Sequence, residues 1–123
     1  MRIVISNQSE LPIYAQIKEQ IKEQILNGKL MPETVLPSIR QLAKEIGVSV
    51  ITTTRAYRDL EQEGFITTMQ GKGSIVLAKD NQLMQEHILS RIEEYFESAI
   101  DLSRKAGIAD STLKETLEEL LKQ

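Results

Sequence analysis

Between Pro37 and Gly64 two helical patterns follow one another with only Gly47, Val48 and Ser49 between them, and this spacing constrains the fold more than any other feature. Proline disfavours helix at the residue before it, and glycine ends helices in a left-handed conformation, so neither pattern extends into the other. Ser38-Ile39-Arg40-Gln41 has capping-box spacing, and Ile39, Leu42, Ala43 and Ile46 form one apolar face before Gly47. Val48 re-enters the core. Ser49 caps the second pattern, in which Thr53, Ala56, Tyr57 and Leu60 face inward up to Gly64. Two helices joined by so tight a turn make a helix-turn-helix, the arrangement whose second member enters the major groove of DNA.

The flanks extend this unit. Residues 2–6 (Arg-Ile-Val-Ile-Ser) are β-branched and read as an edge strand ahead of the turn-prone Asn7-Gln8-Ser9. Pro12 suits a first helical turn, and Tyr14, Ile17, Ile21 and Ile25, with Ile13 and Leu26 alongside, predict an amphipathic helix ending near Asn27-Gly28. Leu30–Leu36, with Pro32 inside and Pro37 behind, reads as a loop. Beyond Gly64, Phe65–Thr68 and Ser74–Leu77 are β-favouring runs around Met69–Gly73, a hairpin that beside a helix-turn-helix forms a wing.

After Lys79-Asp80-Asn81 the pattern is helical again. Leu89, Ile92, Phe96 and Ala99 form one stripe, with Ile88, Tyr95 and Leu102 on the next. Gly107 breaks the helix, Asp110, Ser111 or Thr112 is expected to cap another, and Leu113, Leu117, Leu120 and Leu121 give that helix its inner face. The expected fold class is therefore α+β: a winged helix-turn-helix over residues 1–79, followed by a two-helix segment over 80–123. That segment is small for a self-sufficient core and is expected to dock on the first helix or on a second copy of itself.

Composition narrows the function. The 123 residues include no cysteine, which removes disulfides, thiolate metal sites and thiol catalysis and fits a reducing cytosol. No apolar run approaches the ~20 residues of a membrane span, and the N-terminus lacks signal-peptide character, so a cytoplasmic protein without a membrane partner is expected. The net charge of −3 is unevenly placed. Residues 1–79 carry 10 Lys and Arg against 8 Asp and Glu, and residues 80–123 carry 5 against 10. A mildly basic front and an acidic rear suit a DNA-facing module joined to one that faces away, although an acidic helix is also an ordinary solvated face.

The run Leu36-Pro-Ser-Ile-Arg-Gln-Leu-Ala-Lys-Glu-Ile-Gly-Val-Ser49, continued by Arg55-Ala-Tyr-Arg-Asp-Leu-Glu-Gln-Glu-Gly-Phe-Ile66 and Gly71-Lys-Gly-Ser74, resembles the GntR family of bacterial regulators. Pro12-Ile-Tyr14 with Gln16-Ile17 resembles the family's first helix, so the likeness covers residues 1–77. The short C-terminal segment resembles the YtrA-type branch. That likeness implies a homodimer held by the C-terminal helices through Ile88, Leu89, Ile92, Tyr95, Phe96, Ala99, Leu113, Leu117 and Leu120, and repression of a neighbouring operon such as a membrane transporter.

The resemblance makes Arg40 the foremost DNA-contacting candidate, because family members use the arginine of Leu-Pro-Ser-x-Arg; a surface salt bridge is the alternative. Ser38 caps its helix, and its hydroxyl also suits a phosphate. Ser49, Val50, Ile51 and Thr52 form the first turn of the recognition helix, and Thr54 follows on that face. Many family members carry arginine or asparagine near positions 50 and 51 and a basic residue at 54. Apolar Val50 and Ile51 therefore either read thymine methyl groups, predicting A·T-rich half-sites, or mark a helix that reads few bases. Of Arg55 and Arg58, one is expected on phosphate and the other in a surface ion pair, while Thr53 belongs to the core. Gln70, Gly71, Lys72 and Gly73 match the family's wing tip, which contacts the minor groove or a phosphate; a plain hairpin turn is the alternative.

No catalytic constellation is recognisable. His87 is the sole histidine, with Glu86 and Arg91 as possible partners, and no cofactor or metal is expected. The expected partners are double-stranded DNA with a palindromic operator and a second copy of the chain. The C-terminal residues leave little room for an effector pocket outside a dimer interface, so small-molecule response is expected to be weak or absent. The competing reading is a winged-helix protein-interaction module whose DNA face has lapsed, favoured by Val50, Ile51 and the negative net charge.

Overall fold

The computed structural model describes residues 1–123, with five helices and one antiparallel hairpin in the order α1 (Ile13–Leu26), α2 (Ile39–Ile46), α3 (Val50–Gln62), β1 (Ile66–Met69), β2 (Gly73–Val76), α4 (Gln82–Lys105) and α5 (Asp110–Leu121). Two compact units result, Met1–His87 and Ile88–Gln123, with the border inside α4.

The core of the first unit forms where α1 and α2 pack on α3. Ile17, Ile21 and Ile25 of α1, Leu42 and Ala43 of α2, and Thr53, Ala56, Tyr57 and Leu60 of α3 are all buried. Phe65, Ile66, Ile75 and Val76 from the wing and Met84 from the start of α4 complete it. The strand register runs Ile66 to Val76 and Met69 to Gly73, and Lys72 N–H donates to Met69 O at 2.9 Å to close the tip.

Two local expectations are corrected, and a third gains detail. Residues 2–6 form no strand, because no neighbouring strand exists to pair with them. Their backbone instead pairs with glutamine side chains of α1. Val4 N–H donates to Gln20 Oε1 (2.9 Å) while Gln20 Nε2 donates to Val4 O (2.6 Å), and Gln16 makes the same reciprocal pair with Ser6 (2.8 and 3.0 Å). Gln24 Nε2 donates to Arg2 O at 2.8 Å. Residues four apart on a helix advance about 6 Å and alternate strand residues about 6.7 Å, so a row of glutamines matches an extended chain.

The segment Leu30–Leu36 is a loop, as expected, but one tied to the wing by an isolated bridge between Val35 and Ile75. Glu33 N–H donates to Val76 O, Val76 N–H to Thr34 O, and Leu36 N–H to Ser74 O, at 2.8–2.9 Å. Leu30 and Leu36 are buried. The two prolines bracket this pairing without occupying a position that must donate. Glu33 has φ 74° in the turn that Thr34 N–H closes on Met31 O, a left-handed position that usually favours glycine.

In the second unit α5 begins after Ala109, whose side chain makes no cap. Asp110, Ser111 and Thr112, expected as caps, lie inside the first turn, where Thr112 and Leu113 N–H groups both reach Ala109 O. Ser103 is buried and no residue of α5 is.

Gly64 governs the passage from α3 to the wing. It has φ +85°, and a Cβ there would meet the Met84 backbone nitrogen at 2.5 Å. Asn81 holds the same junction, donating from Nδ2 to Gly64 O (2.9 Å) and accepting the Met84 N–H at Oδ1 (2.9 Å).

Candidate nucleic-acid interface

Side-chain caps set the start of both helices of the turn. Ser38 Oγ accepts the Gln41 N–H and Ser49 Oγ accepts the Thr52 N–H, each at 3.1 Å. The capping box at α2 is only half closed, because Gln41 Nε2 donates to Glu45 Oε1 at 3.1 Å instead of turning back. Gly47, in left-handed conformation, ends α2 with its N–H on Ala43 O. These caps present the first turn of α3 to solvent. Val50 is 38% exposed and Ile51 83%, the latter the most exposed large hydrophobic side chain in the chain.

The hydroxyls around them donate within the helix turn itself. Ser49 Oγ donates to Thr52 Oγ1 (2.8 Å), Thr53 Oγ1 to Ser49 O (3.1 Å) and Thr54 Oγ1 to Val50 O (2.7 Å). Thr53 is fully buried, in agreement with its reading as core.

Cations flank this surface. Arg40 and Lys72 are exposed and enter no ion pair, as is also true of Arg58. Arg55 lies with its guanidinium 3.6 Å from the Tyr14 ring centroid, a cation–π stack that ties the exposed face of α3 to α1. Sequence spacing offered no sign of this stack, since the partners sit on different helices. Arg58 lines a groove of about 340 Å3 with Ile39, Thr54, Tyr57, Glu61, Thr68 and Ser74, bringing α2, α3 and the wing together. Tyr57 donates its hydroxyl to Pro37 O at 2.6 Å, and burial pushes its ionisation well above the ordinary range, with the Glu45 charge adding to the effect. Ser38, Gln70, Gly71 and Gly73 are exposed, and Gly71 and Gly73 have positive φ at the wing tip.

Behind α3, acidic residues are occupied. Glu63 bonds Lys22 Nζ at 2.8 Å and His87 Nε2 at 2.7 Å, and lies 3.3 Å from Lys18 Nζ; Asp59 is 3.5 Å from Lys18. His87, considered above for Glu86 or Arg91, thus meets the carboxylate of Glu63, the residue that caps the end of α3. Burial opposes ionisation of Glu63, but the Lys22 hydrogen bond and the charges of Lys22, Lys18 and His87 outweigh it and hold the carboxyl below its ordinary range. The exposed cations of α2, α3 and the wing lie outside this cluster, although Glu61, which accepts the Thr68 hydroxyl at 2.7 Å, shares the groove with Arg58.

The second unit offers a different surface. Leu89, Ile92, Tyr95, Phe96, Ala99, Leu117 and Leu120 are exposed, while Ile88 and Leu113 are half-buried. Phe96, Ala99, Ile100, Leu113, Leu117 and Leu120 line an apolar groove of about 480 Å3 between α4 and α5. The hairpin therefore has more concave space than its length led us to expect.

A family model described as bacterial regulatory proteins, gntR family, matches residues 13–76. Over 118 residues the chain is 35% identical to the HTH-type transcriptional repressor YtrA of Bacillus subtilis, covering 96% of this chain and 91% of that protein. The solved structure of YtrA from Sulfolobus acidocaldarius, a GntR-family transcription factor, aligns with a TM-score of 0.70 at 29% identity, over 98% of this chain and 97% of that one. AraR(DBD) in complex with operator ORX1 aligns with a TM-score of 0.54 at 33% identity, over 62% of this chain and 95% of that one.

Proposed function

The chain belongs to the gntR family of bacterial regulatory proteins, and from that premise we propose that it is a homodimeric repressor that binds a palindromic operator and controls a neighbouring operon, such as one for a membrane transporter. The observation that carries DNA binding is the set of exposed, unpaired cations Arg40, Arg58 and Lys72 on α2, α3 and the wing, beside a solvent-facing start of α3. Arg40 suits a bidentate contact to guanine or phosphate, Lys72 a phosphate or the minor groove at the wing tip, and the Ser38 hydroxyl a phosphate. Ser49, Val50, Ile51, Thr52 and Thr54 face the major groove in this reading. Arg58, rather than the Tyr14-stacked Arg55, is the better placed of the two to reach a backbone phosphate.

Dimerisation is supported by the apolar face of α4 and α5, which the monomer leaves open. A second copy is its natural occupant, because a contiguous apolar surface of this kind marks an association site. Two-fold symmetry then sets the half-site spacing at about one helical turn or a multiple of it. The same face, once covered, leaves a metabolite little room, so no effector is assigned. No helix is long and apolar enough to cross a membrane, and the cytoplasm, where the DNA lies, is the expected location.

Gel shifts with the DNA upstream of the chain's own reading frame test this function. Wild type should bind at low salt and lose affinity steeply as salt rises, and the Arg40→Ala plus Lys72→Ala double variant should lose binding while remaining folded and dimeric. Absence of any shift, together with monomeric light scattering, would defeat the proposal. The exposed Ile51 favours one other reading, a protein-interaction module, for which the double variant would retain its partner.

A further inference from the structure

We propose that the start of α3 selects thymine through its 5-methyl group, with Ile51 as the specificity-determining side chain and Val50 beside it. This deepens the DNA-binding reading and rests on it. The first observation is the 83% exposure of Ile51 at a capped helix start, where the side chain contributes nothing to the core.

The second is the direction of the neighbouring hydroxyls. Guanine presents N7 and O6 acceptors in the major groove and must be met by donors, whereas thymine presents a methyl group beside an acceptor. Ser49 donates to Thr52, Thr53 to Ser49 O and Thr54 to Val50 O. Three of the four hydroxyls at this turn thus have their protons committed within the helix and are not offered to a base. The nearest cation along the helix, Arg55, is held over the Tyr14 ring, and Arg58 lies a further turn away in the groove toward the wing. A guanine under this turn would find few donors, while a thymine methyl would find Ile51.

The test uses the full chain and a duplex that it selects from a random library, in versions carrying thymine or deoxyuridine, which differ only by the methyl group. At thymines under the start of α3, uridine should weaken wild-type binding about fourfold per contacted methyl, the transfer value of one carbon. Ile51→Ala, a surface change that should leave the melting temperature unmoved, should bind the two versions equally. Indifference of the wild type to uridine, G·C pairs selected under the helix start, or an undiminished thymine-to-uridine ratio in Ile51→Ala would each overturn the inference while leaving DNA binding intact. Enrichment of no duplex at all would remove the DNA-binding function itself, and with it this inference.

Discussion

Glu63 is the single side chain on which most of the first unit's ion pairs converge, linking α1 through Lys18 and Lys22 to α4 through His87. Its carboxyl is held below the ordinary range, so it binds a proton less readily folded than unfolded. The stability it contributes is present above the unfolded carboxylate pKa and is lost as pH falls through the folded one. Lys18 behaves oppositely: burial opposes its charge, yet Glu63, Asp59 and Glu19 raise its pKa, so its contribution holds below the ordinary lysine value and fades above it. Glu63→Gln is expected to cost about 1–3 kcal/mol at neutral pH, because the buried Lys22 loses its close anion and keeps only the more exposed Glu19 at 3.7 Å. Thermal melts from about pH 7 to about pH 3 should show the difference between variant and wild type shrinking toward the acid end; parallel curves would show that Glu63 is not the titrating link. Nothing in the residue pattern announced this hub, since its members are 41 and 24 positions from Glu63 along the chain, counting Lys22 and His87. The apolar start of α3, by contrast, was legible directly from Val50 and Ile51.

At the scale of elements, the helix-turn-helix was readable because its signals are local: Ser38 and Ser49 cap, Gly47 stops, and the inward positions repeat at helical spacing. The amino-terminal segment was misread for an equally physical reason. β-branched residues report a preference for extended backbone, and here that preference is met by Gln16, Gln20 and Gln24 rather than by a strand. Gly64 illustrates a requirement that combines both kinds of information. Its positive φ belongs to the helix end, whereas the close approach of Met84 belongs to packing. Gly64→Ala is therefore expected to cost about 2 kcal/mol or more, from the left-handed conformation and the backbone clash together. A fall in melting temperature of roughly 8 °C or more should result; a change within about 2 °C would mean that α4 shifts freely at this junction.

At the scale of the whole molecule, the proposed homodimer is the arrangement that would cover the second unit's open apolar face. Phe96, 48% exposed at the α4–α5 groove, is a suitable probe because it supports no buried core in the monomer. Phe96→Asp should yield a monomer by light scattering with the first unit still folded, and operator affinity should fall about 100-fold or more as the two half-sites cease to be linked. A dimer that survives this change with full affinity would place the interface elsewhere. Local patterns along the chain were enough to establish the helices, the wing, the family and the unusual apolar start of α3, because caps, breakers and periodicity act over a few residues. The glutamine-held arm, the Arg55–Tyr14 stack, the Glu63 hub and the pairing of residues 33–36 with the wing were settled by packing alone. Each joins groups far apart in sequence, and which distant donor meets which acceptor is decided only when the elements close on one another.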